Sequence, residues 1–150
     1  MTDLFNNQSM VALSWKQPFG SAMLWEKIET RVWATKYRGL VLLCTSQKAY
    51  DEKTVINICG PQNFVRLCAT LVNDTTTLHL NGYAIAVGKL VDCRKMKPDD
   101  ELKTFVRYRE DLYCHIYEEV KAIKPFRWKG AQRWKKVEQN IIEGIEYLGK

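Results

Sequence analysis

The sequence contains only two histidines, His79 and His115, and its five cysteines include no CxxC pair. A Ser-His-Asp hydrolase requires a histidine beside its nucleophile, and a catalytic zinc ion typically takes three protein ligands. The segments around the two histidines, HLNGY and YCHIY, are typical of a turn and a strand. The sequence therefore disfavours both classes of enzyme, and we expect no metal and no cofactor.

No apolar run in the sequence approaches the ~20 residues that a membrane-spanning helix needs. The segment MTDLFNNQS lacks the basic stretch followed by an apolar stretch that marks a secretory signal. We therefore expect a cytoplasmic protein with no membrane partner. In that compartment the cysteines are expected to be buried, reduced thiols: Cys44, Cys59, Cys68, Cys93 and Cys114.

The net charge of +6 is concentrated near the carboxyl end of the chain. Basic and acidic residues number seven and five over 1–60, eight and nine over 61–120, and eight and three over 121–150. The segment KAIKPFRWKGAQRWKK (121–136) holds seven basic residues, two tryptophans and no acid. Such a segment favours a nucleic acid with stackable bases, although a solvated basic loop has the same composition.

Hydrophobic periodicity predicts several strands with helices inserted between them. Strands are predicted over 10–18, 29–34, 39–46, 81–96 and 112–124, with a bulge or tight bend at Gly88. Helices are predicted over 19–28, 61–72, 98–109 and 139–148. Because the helices do not alternate strictly with the strands, we predict an α+β barrel. The length of 150 residues favours one domain over 10–150, after a flexible segment over 1–9.

Four motifs, in order along the chain, resemble the ASCH domain family of the PUA-like superfamily. ALSWKQPFGSAML (12–24) and IETRVWATKYRGLVLLCTS (28–46) are similar to its "A-L-S-x-x-Q-P", "E-x-R-x-W" and "Y-R-G" elements. GYAIAVGKLVDCRKM (82–96) is similar to its strand ending in "L-x-D-C", and IKPFRWKGAQRW (123–134) to its "K-G-x-x-x-W" loop. The resemblance implies a PUA-like small, closed β-barrel with surrounding helices, and association with RNA.

The resemblance also implies a cleft bearing the motif G-x-K-x-x-E-x-R, whose lysine is the base in hydrolytic members that deacylate acetylcytidine. Aligning Glu29 and Arg31 with that motif puts Glu26 at the lysine position. Lys27 is one residue later, and one step along a helix turns a side chain by about 100°. Lys27 therefore replaces the motif lysine only if the helix ends and the backbone changes direction there.

Glu29 and Arg31 are predicted to form an ion pair that orients the arginine so that it can bind a phosphate or a base edge. The alternative is a structural salt bridge that closes a strand. Side chains predicted to stack on bases or contact phosphates are Lys16, Gln17, Trp33, Lys36, Tyr37, Arg38, Ser46, Trp128, Lys129, Arg133 and Trp134. Each has a structural alternative: helix capping for Gln17, a strand-end turn for Thr45 and Ser46, core packing or a solvated surface for the others. Trp15 and Trp25 are predicted to lie in the core.

We therefore expect a module that binds RNA, another single-stranded nucleic acid or a modified nucleoside. The alternative is a hydrolase of the same family type, an acetylcytidine amidohydrolase or a ribonuclease, with Lys27, Glu29 and Arg31 as its catalytic residues.

Overall fold

Six strands form one curled, mixed sheet in the computed structural model of the protein, which describes residues 8–149. They are β1 (Met10–Trp15), β2 (Glu29–Arg31), β3 (Gly39–Thr45), β4 (Tyr83–Lys95), β5 (Tyr113–Arg127) and β6 (Lys135–Lys136). Their order is β2-β5-β4-β3-β1-β6, with β1 and β3 parallel and the other neighbours antiparallel. Within the described part of the chain no ladder joins β2 to β6, so the sheet is a half-barrel, whereas the resemblance implies a closed one.

The helices are short and lie between the strands in sequence. α1 (Phe19–Ala22) continues into a 3-10 turn, Met23–Trp25, and α2 (Glu52–Cys59) is followed directly by α3 (Pro61–Leu71). A 3-10 turn, Pro98–Asp100, leads into α4 (Glu101–Thr104), and α5 (Gln139–Gly144) follows β6. The predicted α+β class is confirmed.

β3 is buried on both faces, which explains the continuous apolar run in its sequence. Val41 and Leu43 pack with Trp15 in one core cluster, while Leu40 and Leu42 pack in a second cluster on the other face. The second cluster is completed by residues of β5 and α5, including Ile123 and Ile142. The predicted buried central strand is confirmed.

The predicted bulge at Gly88 is confirmed by the pairing of β4 with β5. The register between the two strands shifts between Val87 and Lys89. A Cβ atom at Gly88 would lie 3.1 Å from Cγ2 of Val120 and 3.2 Å from Cδ2 of Tyr117. The glycine therefore permits a close approach of the two strands at the bend.

Three predicted helices are shorter than expected. The helix predicted over 19–28 ends with the 3-10 turn at Trp25. Over 98–109, helical structure ends at Thr104, and Phe105 adopts a positive φ of 63°. Thr104, Phe105 and Val106 are all buried, and the left-handed conformation of Phe105 ends the helix in the way common to helix C-termini. Over 139–148 the helix ends at Gly144, because Tyr147 instead pairs with Ile123 of β5.

The helix predicted over 61–72 is confirmed as α3, but only part of its apolar stripe is buried. Leu67 and Leu71 are buried, whereas Val65 and Val72 are exposed. α2 was not predicted, although Asp51 caps it by accepting a hydrogen bond from the Thr54 amide at 2.8 Å. An aspartate at this position is a common helix start signal.

Several burial predictions are wrong. Cys68 is exposed on the outer side of α3 and Cys93 is half-buried, while the other three thiols are buried and all five are free. Trp15 is buried as predicted, but Trp25 is 39% exposed because it ends the 3-10 turn at the surface. The flexible segment predicted over 1–9 lies outside the described residues, except for Gln8 and Ser9.

No helix within residues 8–149 is both long enough and apolar enough to cross a membrane. In the same part of the chain, no group of three or more histidine, cysteine or acidic residues is placed to hold a metal ion.

Gln17 joins the end of β1 to α1 and to the segment before β4. Its Oε1 accepts a hydrogen bond from the Ser21 amide at 2.8 Å, and its Nε2 donates to the Ser21 hydroxyl and to the Thr77 carbonyl at 2.9 and 2.8 Å. The residue is only 2% exposed. The carboxamide therefore caps α1, which is the structural alternative considered for this residue.

Replacing Gln17 by alanine is expected to lower the free energy of unfolding by about 1–3 kcal/mol, because buried partners lose their hydrogen bonds. Urea denaturation measures this loss. Gln62→Ala, at an exposed glutamine of α3, is the control and is expected to change stability by less than about 0.5 kcal/mol. Equal stability of the two variants would contradict the role assigned to Gln17.

Candidate ligand-binding cleft

A cleft of about 560 Å³ opens where β1 and β3 end. These strands are parallel neighbours with Trp15 beside Thr45, so the chain leaves both at the same edge of the sheet. Its walls are formed by the end of β1, the turn after β3, strand β2 with the residues that precede it, and the loop before β6. They include Ser14, Trp15, Lys16, Phe19, Lys27, Glu29, Thr30, Arg31, Ser46, Gln47, Lys48, Tyr50, Ala131 and Gln132.

Lys27 reaches the cleft because the backbone changes direction immediately before it. The 3-10 turn ends at Trp25, and Glu26 adopts the left-handed conformation with φ of 70°. Glu26 is exposed, whereas Lys27 is buried on the cleft wall. Lys27 could replace the motif lysine only if the helix ended and the backbone changed direction at this point. The positive φ of Glu26 meets that condition.

Glu29 lies between two cationic side chains. Its Oε1 is 3.3 Å from Nζ of Lys27, and its Oε2 is 2.8 Å from Nε of Arg31. Burial alone would raise the pKa of Glu29, but Arg31 and Lys27 together outweigh burial and lower it. The carboxylate is therefore ionised at neutral pH.

Burial lowers the pKa of Lys27, and the neighbouring Glu29 opposes that shift. Its Nζ also donates to the Ile28 carbonyl at 3.0 Å and lies 5.3 Å from the centre of the Phe19 ring. A lysine in such surroundings gives up its proton more readily than a solvated one, which is a property of amines that act as bases.

Arg31 connects β2 to β1 across the open side of the sheet. Its Nη2 donates to the Ser14 carbonyl at 3.0 Å, and its guanidinium lies 5.0 Å from the centre of the Trp15 ring. The Nε atom is paired with Glu29, although its N–H does not point directly at the carboxylate oxygen. No acceptor among the described residues contacts Nη1, so this end of the guanidinium is available to a ligand.

Three buried polar atoms around Arg31 have no hydrogen-bond partner among the described residues. They are Nε1 of Trp15, the hydroxyl of Tyr117 and Nδ1 of His115. His115 is opposite Glu29 in the sheet, and its Nε2 donates to the Trp33 carbonyl at 2.9 Å, which leaves Nδ1 unprotonated. Burial lowers the pKa of His115 and raises that of Tyr117, so both are neutral. Such unsatisfied groups are rare in native proteins and are concentrated at functional sites.

The cleft carries an excess of positive charge. Four cationic side chains line it, Lys16, Lys27, Arg31 and Lys48, against the single carboxylate of Glu29. A second cavity of equal volume, between α2, α3 and α4, is lined by one cation, Arg107, and one acid, Glu101. The charge excess is thus a property of the cleft and selects for anionic ligands.

The structure brings five of the predicted site residues together at the cleft: Lys16, Lys27, Glu29, Arg31 and Ser46. Ser46 is half-buried, and its amide donates to the Trp15 carbonyl at 2.8 Å. Thr45 is buried instead, and its hydroxyl bonds to the backbone of Tyr83.

Trp33, Tyr37 and Trp134 form an aromatic cluster beside the cleft and not within it. The Trp134 ring lies 5.6 Å from Trp33 and 5.3 Å from Tyr37, and Arg133 covers Trp33 at 4.9 Å. The hydroxyl of Tyr37 donates to the Leu40 carbonyl at 2.7 Å. These rings contact one another, so they anchor the loop before β6 to the segment after β2.

The remaining predicted contacts lie away from the cleft. Gln17 and Trp128 are buried, the latter in the second core cluster, and neither lines the cleft. Lys36, Arg38 and Lys129 are exposed outside the cleft, and Arg38 donates to the carbonyls of Thr35 and Tyr37.

Sequence reasoning missed several residues of the cleft, including Gln47, Lys48, Tyr50 and Gln132. The signal for the first three was their position directly after an apolar strand that runs parallel to β1. That signal depends on the strand pairing, which the sequence does not display.

No protein-family model matches the sequence, and no curated protein matches it either.

Replacing Glu29 by glutamine is expected to lower the free energy of unfolding by roughly 3–5 kcal/mol at pH 7, because the buried Lys27 and the partly buried Arg31 lose their counterion. The pKa of Glu29 is lowered in the folded state, so its contribution is fully present above the ordinary value of 4.5 and is lost as the pH falls through the folded value. The stability difference between the parent and Glu29→Gln should therefore shrink below pH 4.5.

Urea denaturation between pH 7 and pH 3 provides the measurement. Glu26→Gln is the matched control, because that carboxylate is exposed and three residues away. A difference between the parent and Glu29→Gln that stays constant across this range would show that the carboxylate is not held ionised by its neighbours.

Proposed function

We propose that the protein binds single-stranded RNA, or a nucleotide or modified nucleoside, in the cleft at the ends of β1 and β3. The observation that carries this proposal is the position of Arg31. Glu29 and the Ser14 carbonyl hold its guanidinium on the cleft wall, and its Nη1 faces no protein acceptor among residues 8–149. A guanidinium fixed in this way suits bidentate bonding to a phosphate or to a base edge.

The dimensions of the cleft favour one nucleotide over a helical segment of nucleic acid. Its volume of about 560 Å³ is in the range of small-molecule sites. Proteins that read RNA sequence commonly bind unstacked bases from loops and strand ends. A single unstacked base, or the end of a strand, is therefore the part of an RNA that would enter.

Basic residues flank the cleft on the loop before β6. Ala131 and Gln132 line the cleft, and the exposed Lys129 and Arg133 flank them in the sequence of this loop. A strand that leaves the cleft would meet these cations, and contacts of this kind add affinity without sequence preference.

The resemblance to the ASCH domain family agrees with this proposal. Glu29 and Arg31, which align with the motif, are paired in the cleft, and the curled half-barrel is compatible with that family's barrel although it is more open than the closed barrel that the resemblance implies. We therefore also propose membership of that family, with a nucleic-acid ligand.

Replacing Arg31 by lysine is expected to weaken binding at least tenfold, about 1.4 kcal/mol, because lysine keeps the charge but loses the planar fork. Fluorescence anisotropy with a short single-stranded RNA and calorimetry with nucleotides give the affinities. Arg109→Lys, at an exposed arginine outside the cleft, is the control. Unchanged affinity in a folded Arg31→Lys variant would make the Glu29–Arg31 pair purely structural.

A hydrolase is the second candidate, and the observation that favours it is the placement of Lys27. The amine is buried beside Glu29 on the cleft wall, and burial lowers its pKa. As a base, Lys27 would take a proton from water as the oxygen attacks the acyl carbon of an acetylated cytidine. The proton would then pass to the leaving amine as the C–N bond breaks, and Arg31 would stabilise the oxyanion.

If the hydrolase is correct, Lys27→Met should abolish release of acetate from acetylcytidine while the variant still folds. The fold is expected to survive because methionine fills a similar volume and leaves Glu29 paired with Arg31. Chromatography of the nucleoside products measures turnover, and circular dichroism checks folding. Lys53→Met, on the exposed side of α2, is the control. Turnover that persists in Lys27→Met would exclude Lys27 as the base, and no turnover in the parent would count against the hydrolase.

A further inference from the structure

The four cationic side chains of the cleft fall into two groups. Lys27 and Arg31, at its centre, are paired with an acidic residue, whereas Lys16 and Lys48, at its rim, are not so paired within the described part of the chain. Lys27 and Arg31 share the carboxylate of Glu29. Lys16 and Lys48 also line the cleft, but neither forms an ion pair with an acidic residue among residues 8–149. The rim therefore presents two lysines whose charge no protein group neutralises.

The fold places these two lysines near each other. Lys16 directly follows β1, and Lys48 is three residues beyond the end of β3. The two segments run side by side, since the Ser46 amide donates to the Trp15 carbonyl at 2.8 Å and the Tyr50 amide donates to the Gln17 carbonyl at 2.9 Å. Both lysines are exposed at their outer ends, where a ligand can reach them.

An aromatic surface lies next to this rim. The ring of Tyr50 contacts that of Phe19 edge to face, with centres 5.9 Å apart, and Nζ of Lys16 lies 5.4 Å from the centre of the Tyr50 ring. Ile58 and Val106 extend the apolar wall. A ligand that occupies the cleft thus meets aromatic and aliphatic side chains beside two lysines that form no ion pair among residues 8–149.

We propose that the ligand is a phosphate monoester of a nucleoside, with its phosphate held by Lys16 and Lys48 and its ring against the Tyr50 wall. The proposal rests on the proposed function and adds the phosphate to it. A phosphate monoester carries a charge of about −1.5 to −2 at neutral pH, which matches two uncompensated lysines. An internal phosphodiester carries one negative charge, and a nucleoside carries none. The rim should therefore distinguish these three forms.

Two sources supply this chemistry, a free nucleoside monophosphate and the phosphorylated end of an RNA strand. Calorimetry with the four nucleoside 5′-monophosphates and the four nucleosides tests the first source. Anisotropy with a fluorescent six-nucleotide RNA, carrying either a 5′-phosphate or a 5′-hydroxyl, tests the second. We expect at least a tenfold preference for the phosphorylated member of at least one of these pairs.

The variants Lys16→Gln and Lys48→Gln are each expected to reduce that preference at least threefold, because affinity for the phosphorylated member falls more than affinity for the unphosphorylated one. Lys36→Gln, at an exposed lysine outside the cleft, is the control and should retain the full preference. Circular dichroism establishes that each variant is folded.

The outcomes separate this inference from the function on which it rests. Equal binding of phosphorylated and unphosphorylated ligands would overturn the inference and leave nucleotide binding in place. A preference that survives in both variants would also overturn it, because the phosphate would then be bound elsewhere. Absence of binding to every nucleoside, nucleotide and RNA tested would overturn the proposed function together with the inference.

Discussion

The cleft depends on the two ion pairs that the carboxylate of Glu29 forms with Lys27 and Arg31. The carboxylate holds Nζ of Lys27 at 3.3 Å and Nε of Arg31 at 2.8 Å, and Arg31 in turn donates to the Ser14 carbonyl of β1. This chain of contacts spans the side of the sheet where, within residues 8–149, no strand ladder joins β2 to β6. A single buried anion therefore fixes the chemistry of the cleft wall and links the two sides of its opening.

The buried polar groups around the Glu29 carboxylate lower the stability of the folded protein. Polar atoms of Trp15, Tyr117 and His115 that have no hydrogen-bond partner among residues 8–149 lie near it, and burial penalises the charge of Lys27. The core on both faces of β3 offsets such costs, since its side chains are almost completely withdrawn from solvent. The well-packed strands thus allow a strained, polar site at the edge that they share.

Five of the six strands were predictable from the sequence because their signal is local, whereas β6, only two residues long, was not predicted. The continuous apolar run of β3 and the alternation in β1 follow from which faces of each strand are buried. The ends of the helices were less predictable. In the segment predicted as a helix over 98–109, for example, the left-handed conformation of Phe105 ended the helix that its first turn had favoured.

The candidate site was predictable only in part, because its geometry depends on contacts between distant segments. The approach of Lys27 to Glu29 depends on the backbone conformation of Glu26, a residue that seldom adopts a positive φ. The position of Lys48 follows from the parallel pairing of β1 and β3. Trp33 and Tyr37 had the composition of a base-stacking surface, but their rings contact Trp134 from a segment about a hundred residues later.

The aromatic cluster also makes the loop before β6 visible to spectroscopy. Trp33 and Trp134 meet at an interplanar angle of 83°, with ring centres 5.6 Å apart. Two indoles fixed at this distance couple electronically and contribute to near-ultraviolet circular dichroism, a signal that requires fixed packing. Because the same loop carries Ala131 and Gln132 on the cleft wall, displacement of that wall would separate the rings and alter the spectrum. The chain thus contains its own optical probe of cleft opening, with no added label.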